Sequence, residues 1–135
     1  MNISDKLNSI LKDYSSGNKK SAYKKFKKIY LKNNKDIKLR YNLAVMQQEL
    51  GLLDEAESNY ISLIKNSEDI KYKINLYNLY VTKNLYHDAL NIINIIQSKN
   101  LTLTKVNQDK AYILYLLKHY KDSIHQCHKI LEIDE

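Results

Sequence analysis

Residues 37–69 read IKLRYNLAVMQQELGLLDEAESNYISLIKNSED, and the fold is decided by how this stretch is read. Leu39, Leu43 and Met46 recur at helical spacing and predict a helix from about Ile37 to Glu49. Gly51 follows, suited to the left-handed backbone that commonly ends a helix. Asp54 is the expected cap of a second helix, on which Ala56, Tyr60, Leu63 and Ile64 form one apolar stripe. The polar run Lys65-Asn66-Ser67-Glu68-Asp69 then closes the stretch. One helix pair cannot bury both of its apolar faces, so such a unit needs stacked neighbours.

Those neighbours are present on both sides. Aligned on small residues, Ala22, Ala56, Ala89 and Ser123 stand 34, 33 and 34 positions apart. Five residues upstream lie Gly17, Gly51, Asn84 and Lys118; three upstream lie Lys19, Leu53, Tyr86 and Tyr120. Four residues downstream lie Phe26, Tyr60, Ile93 and Cys127, and seven downstream lie Ile29, Leu63, Ile96 and Ile130. Several columns holding one register across the whole chain imply an internal repeat. The small residue is expected where the two helices of a pair approach most closely, because a larger side chain would force them apart. The large residue four places on is expected to fill the space between neighbouring pairs.

The pattern resembles the tetratricopeptide repeat family, helix-turn-helix units of about 34 residues. Leu43, Ala44, Gly51, Leu53, Ala56, Tyr60 and Leu63 carry the resemblance most fully. The expected units are 3–36, 37–69, 70–103 and 104–135, within a single domain, 1–135. The first helix of unit one departs from the pattern, with Ser9 and Ile10 in place of the usual Leu-Gly pair, and Ser123 replaces the small Ala of unit four. The proline usual between units is absent, with Asn34, Glu68 and Glu135 near its place. The fold implied is all-α: a right-handed α-solenoid of about four stacked repeats, roughly eight helices. Composition agrees. The chain has no proline and two glycines, too few breakers for a fold rich in tight turns.

The resemblance also implies a concave groove, lined by the first helix of each unit, that holds a peptide. By register its lining would include Lys38, Tyr41, Asn42 and Val45; then Lys71, Ile74, Asn75 and Asn78; then Lys105, Gln108, Asp109 and Tyr112. Lysine recurs at 38, 71 and 105, and asparagine at 8, 42 and 75. Lysine presents a cation, and an Asn amide both donates and accepts towards a peptide backbone, which suits an extended, acidic or carboxylate-bearing segment. Hydrogen bonding inside the array is the alternative role for the Asn column. Some family members grip a chaperone's terminal carboxylate with a fixed set of Lys, Asn, Asn, Lys and Arg. Here Asn42 and Lys71 match, Leu7 and Leu11 occupy the places in unit one, and Asn75 stands where Arg belongs, so that ligand is not expected.

The net charge of +7 is unevenly spread: residues 1–40 hold 12 basic and 3 acidic side chains, the rest 10 and 12. Lys19, Lys20, Lys24, Lys25, Lys27 and Lys28 surround the apolar stripe Ala22, Phe26, Ile29 and Tyr30. This is either a solvated helix face or a basic patch for an acidic protein, RNA or anionic lipid. A lysine patch without arginine is poorly suited to reading bases, so nucleic acid is not the expected partner.

Nothing in the sequence points to catalysis. His125 and His128 could share a helix face, but a zinc site needs further ligands. Cys127 falls in a core column, where a thiol is inert, and one cysteine forms no internal disulfide. No phosphate-binding loop or Ser-His-Asp signature appears, and no cofactor or metal is expected. Most of the twelve tyrosines fall on packing stripes. With no basic leader and no apolar run of about 20 residues, no membrane span is expected and the cytoplasm is the expected location. The expected function is a non-catalytic scaffold or adaptor holding a peptide or protein segment. The alternatives are an accessory module of a larger enzyme system such as a transferase, and a basic docking surface. The last helix, with Tyr120, Ile124, Cys127 and Leu131, is expected to leave apolar surface uncapped, which offers a route to pairing with a second copy.

Overall fold

The computed structural model describes residues 2–99, 104–117 and 120–134, excepting the side chains of residues 120–123 and 133–134. Lys118, His119 and Glu135, and the side chains of Tyr120 and Ser123, therefore lie outside the described residues. Among the described residues every regular element is an α-helix: α1 (Ile3–Ser15), α2 (Lys19–Lys32), α3 (Ile37–Glu49), α4 (Leu53–Asn66), α5 (Ile70–Thr82), α6 (Tyr86–Lys99), α7 (Thr104–Leu116) and α8 (Tyr120–Asp134). The predicted helix 37–49 coincides with α3. The helices gather into two compact halves, residues 1–67 and 68–135. In the first half α1 packs on α2, α2 on α3 and α3 on α4; in the second, α5 packs on α6, α6 on α7 and α7 on α8.

The turn within each pair is built the same way three times. Gly17, Gly51 and Asn84 have positive φ, at 107°, 81° and 61°. At the turn after α3, the Gly51 amide donates to the Gln48 carbonyl and the Leu52 amide to that of Gln47, at 3.2 and 2.8 Å. The same two bonds recur at Gly17 and Asn18, and at Asn84 and Leu85. This is the Schellman closure, which satisfies carbonyls that a helix end would otherwise leave open. The residue after the positive-φ position is also the cap of the next helix. The Asn18, Leu52 and Leu85 carbonyls accept from the amides of Ala22, Ala56 and Ala89, at 3.0, 3.1 and 3.0 Å. Each of these turns is therefore three residues long. Asp54 is corrected accordingly: α4 is capped by the backbone of Leu52, and Asp54 sits in the first turn with Glu55, where a carboxylate complements the helix dipole. The helices α1, α3 and α5 do use side-chain caps. Asn2, Asp36 and Asp69 accept from the amides of Asp5, Leu39 and Lys71, at 2.8, 3.1 and 3.0 Å.

The small-residue column does what its size dictates. Ala22, Ala56 and Ala89 are buried at the helix contacts, and Phe26, Tyr60 and Ile93, one turn on, are buried with them. In the first half Ile10, Tyr23, Phe26, Tyr30, Leu39, Leu43 and Met46 form one core; in the second, Tyr77, Ile93, Ile96, Val106 and Ile113 form another. Buried polar groups are paired except the Gln126 amide nitrogen, which has no hydrogen-bond partner among the described residues. Gln47 donates to the Tyr23 hydroxyl at 3.1 Å and accepts from the Asn59 amide at 2.7 Å. Gln97 donates to Asn107 and accepts from the Lys110 ammonium at 2.9 Å. Glu68, in the place of the usual proline, accepts from Lys99 at 2.9 Å and lies 4.0 Å from the ammonium of nearly buried Lys73. It thereby ties the start of α5 to the end of α6.

The fourth member of the large-residue column departs from the pattern. Cys127 is exposed rather than in the core, and Ile124 and Leu131 are 59% and 63% exposed. Gln126 is buried in their place. In α2 and α6 the equivalent large residue, Phe26 or Ile93, shares a core with side chains of the following helix. Among the described residues α8 packs only on α7, so its far stripe has no cover.

Candidate interaction surfaces

The expected groove residues all lie on the first helices of their pairs, on α3, α5 and α7. In the first half, α3 buries Leu39, Leu43, Ala44, Met46 and Gln47. Lys38 is exposed, and Tyr41, Asn42 and Val45 are half-buried. The rim beside them is polar and tied down. The Tyr14 hydroxyl donates to Glu49 Oε2 at 2.5 Å, and the Tyr60 hydroxyl donates to Gln48 Oε1 at 2.8 Å. Burial, then the Glu49 hydrogen bond and its charge, push the Tyr14 phenol up to about 12. Burial, then the charges of Tyr41 and Glu49, push the Tyr60 phenol still higher. Both stay neutral donors at physiological pH. Asn8 is exposed on α1 while Asn42 and Asn75 are half-buried, so the Asn column does not share one environment.

In the second half, Lys71 lies 3.6 Å from Asp69, and its ammonium is 5.4 Å from the centroid of the Tyr72 ring. Asn75 is half-buried, and Ile74 and Asn78 are exposed. On α7, Lys105 pairs with Asp109 at 2.7 Å, one turn along. Gln108 is exposed, and Tyr112 is 55% exposed. Tyr115 continues the same stripe and is 57% exposed. Sequence reasoning missed it by treating the tyrosines as packing residues. The signal that could have found it was the i, i+3, i+7, i+10 spacing of 105, 108, 112 and 115, opposite buried Val106, Ala111, Ile113 and Leu114. Asp109 and Tyr112 also bear on the core: after burial, their charges help push the Tyr77 phenol up to about 12.

Lys19, Lys20, Lys24, Lys25, Lys27 and Lys28 are all exposed on α2. Lys19 is engaged at 4.0 Å with Glu49 and at 5.4 Å from the Tyr14 ring centroid. The other five have no ion-pair partner among the described residues. Among those residues there is also no group of three His, Cys, Asp or Glu side chains that could hold a metal ion, and no helix long and apolar enough to cross a membrane.

Three-residue positive-φ turns, small residues at the helix contacts and a 33–34-residue period define a tetratricopeptide-repeat fold. Solved structures agree. A tetratricopeptide repeat protein from Parabacteroides merdae superposes with a TM-score of 0.83 at 22% identity over 96% of this chain and 52% of that one. MamA of MSR-1 matches with a TM-score of 0.82 at 12% identity, over 99% of this chain and 78% of its own. MamA from Desulfovibrio magneticus matches at 0.78 and 13% identity, over 96% and 76%. The chain thus spans about half the length of the Parabacteroides protein. No family model matches the sequence, and no curated relative does. At these identities the likeness is one of fold.

Proposed function

We propose that this chain is a non-catalytic scaffold that holds a peptide or protein segment against the exposed sides of its first helices. The contact residues are Lys38, Tyr41, Asn42 and Val45 in the first half, and Lys71, Asn75, Asn78, Lys105, Gln108 and Tyr112, joined by Tyr115, in the second. The observation that carries the reading is the α7 stripe. Two tyrosines more than half exposed stand in line with Gln108 and a lysine, on a helix whose opposite side is core. Tyrosine is enriched among residues that dominate binding energy, because a rigid amphipathic ring offers much contact area at little entropic cost. The lysines favour an acidic or carboxylate-bearing segment.

The test is a peptide array screened with the intact chain, followed by titration of the best binder. Tyr112→Ala with Tyr115→Ala is expected to cost about 2 kcal/mol or more, about a thirtyfold loss of affinity. An array with no binder, or a binder indifferent to both substitutions, would overturn the proposal.

A further inference from the structure

A second surface lies on the first pair of helices and is lined by none of the residues proposed above as contacts. The α2 helix carries seven lysines and no acidic residue. Its apolar stripe, Ala22, Tyr23, Phe26 and Tyr30, is buried, and the seven lysines make up most of what remains, beside Ser21, Ile29 and exposed Leu31. Where α2 meets α1, Lys6, Lys25 and Lys28 surround a shallow depression of about 330 Å³ whose other lining residues are Ser9, Ile10 and Ile29. Lys6, Lys25 and Lys28 are exposed and unpaired among the described residues, while Ile10 is buried and Ile29 half-buried. The result is an apolar floor with a cationic rim.

We propose that this depression docks an acidic polypeptide segment carrying one aliphatic or aromatic anchor. The anchor side chain fills the floor, where it removes Ile10 and Ile29 carbon from water, and flanking carboxylates meet Lys6, Lys25 and Lys28. The geometry favours this occupant over other polyanions. Single-stranded nucleic acid binds through aromatic platforms beside the lysines, and here Tyr23, Phe26 and Tyr30 are turned into the core. The one arginine of the chain, Arg40, is bonded to Ser62 and to the Asn34 carbonyl, and is not available for bidentate phosphate contacts at this site. An anionic bilayer offers headgroups to the cationic rim but fills the apolar floor only by drawing acyl carbon out of its own core, with no net apolar burial gained.

The test uses the full chain and fluorescence anisotropy with four probes: a synthetic Glu-rich peptide with a central Leu, the same peptide with Ser for Leu, an oligothymidylate of equal charge, and vesicles of phosphatidylserine and phosphatidylcholine. The Leu peptide is expected to bind most tightly. Lys25→Glu with Lys28→Glu is expected to weaken it about tenfold, since each reversal replaces an attraction by a repulsion. Lys20→Glu with Lys24→Glu, the same charge change away from the depression, is expected to cost much less. Ile29→Ser is expected to weaken the Leu peptide and leave the Ser peptide unmoved. Circular dichroism confirms that each variant is folded. Equal losses from the two lysine pairs, indifference to Ile29→Ser, or tighter binding of the oligonucleotide or the vesicles would overturn the proposal. Tyr112→Ala leaves this binding unchanged, so failure here and failure of the α7 surface are separate results.

Discussion

Replacing Ala56 by leucine tests the physical basis of the repeat. Ala56 has no exposed surface, and its amide closes the first hydrogen bond of α4 against Leu52. Tyr60, one turn on, is also fully buried and is held by Gln48 through a 2.8 Å hydrogen bond, so the neighbourhood has little freedom to move aside. Three added carbons have to be accommodated by separating α3 from α4 or by leaving favoured rotamers. Overpacking of this kind costs about 1–3 kcal/mol. Separating the helices also endangers the buried Gln47–Tyr23–Asn59 hydrogen bonds, at about 1 kcal/mol each. The expected loss is therefore about 2–4 kcal/mol. For a chain of this size, with a urea m-value of about 1.5 kcal/mol/M, that moves the unfolding midpoint down by about 1.3–2.7 M. Urea titration followed by circular dichroism measures it. Glu55→Leu is the control: it adds leucine one residue away, on the exposed side of the same first turn, and is expected to stay within about 0.5 kcal/mol. If Ala56→Leu were no more costly than Glu55→Leu, the small-residue column would not be a packing constraint and the account of the fold would fail.

Two further predictions concern helix ends and pH. A side chain at Gly51 meets no atom within 4 Å, so Gly51→Ala has only its φ of 81° to oppose it; it is expected to lose about 1 kcal/mol, and Gly51→Asn less, by thermal or urea unfolding. Glu68 titrates below the ordinary glutamate value of 4.5, first because of its hydrogen bond from Lys99, then because of the charges of Lys99 and Lys73. A depressed carboxylate contributes stability that is complete above that value and is lost as the pH falls through the group's own lower pKa. Lys99→Met is expected to return the Glu68 carboxyl titration, followed by NMR, towards the ordinary range, and an unmoved titration would remove Lys99 as the cause.

Helix positions were legible because three local signals agreed. The period placed the small residues, positive-φ residues marked the turns, and apolar spacing marked the buried faces, so α3 could be bounded before any coordinates. Gly17 and Gly51 announce a left-handed residue outright; Asn84 does so only through its column, since asparagine also has many other roles. What was missed shares one cause. A sequence register assumes every repeat has the same neighbours, but burial depends on which neighbours are there. Cys127 holds the place of Tyr60 and is exposed because no described helix covers that side of α8. Tyr115 was hidden in the same way, as an aromatic residue counted as core that faces outward. The depression between α1 and α2 could not be found from spacing, since it depends on how Lys6 and Ser9 of one helix meet Lys25, Lys28 and Ile29 of the next.

In each described turn within a pair, one residue both finishes the first helix and starts the second, which leaves no slack. An extra residue between Gly51 and Leu53 would break either the closing bonds of α3 or the opening bond of α4. The joints between successive pairs are looser: residues 33–36 make up the first, whereas residues 67–69 suffice for the next. That missing residue accounts for the single 33 among the 34-residue spacings. An inserted or deleted residue is thus expected to be absorbed at these joints, whereas inside a hairpin it would break a helix end.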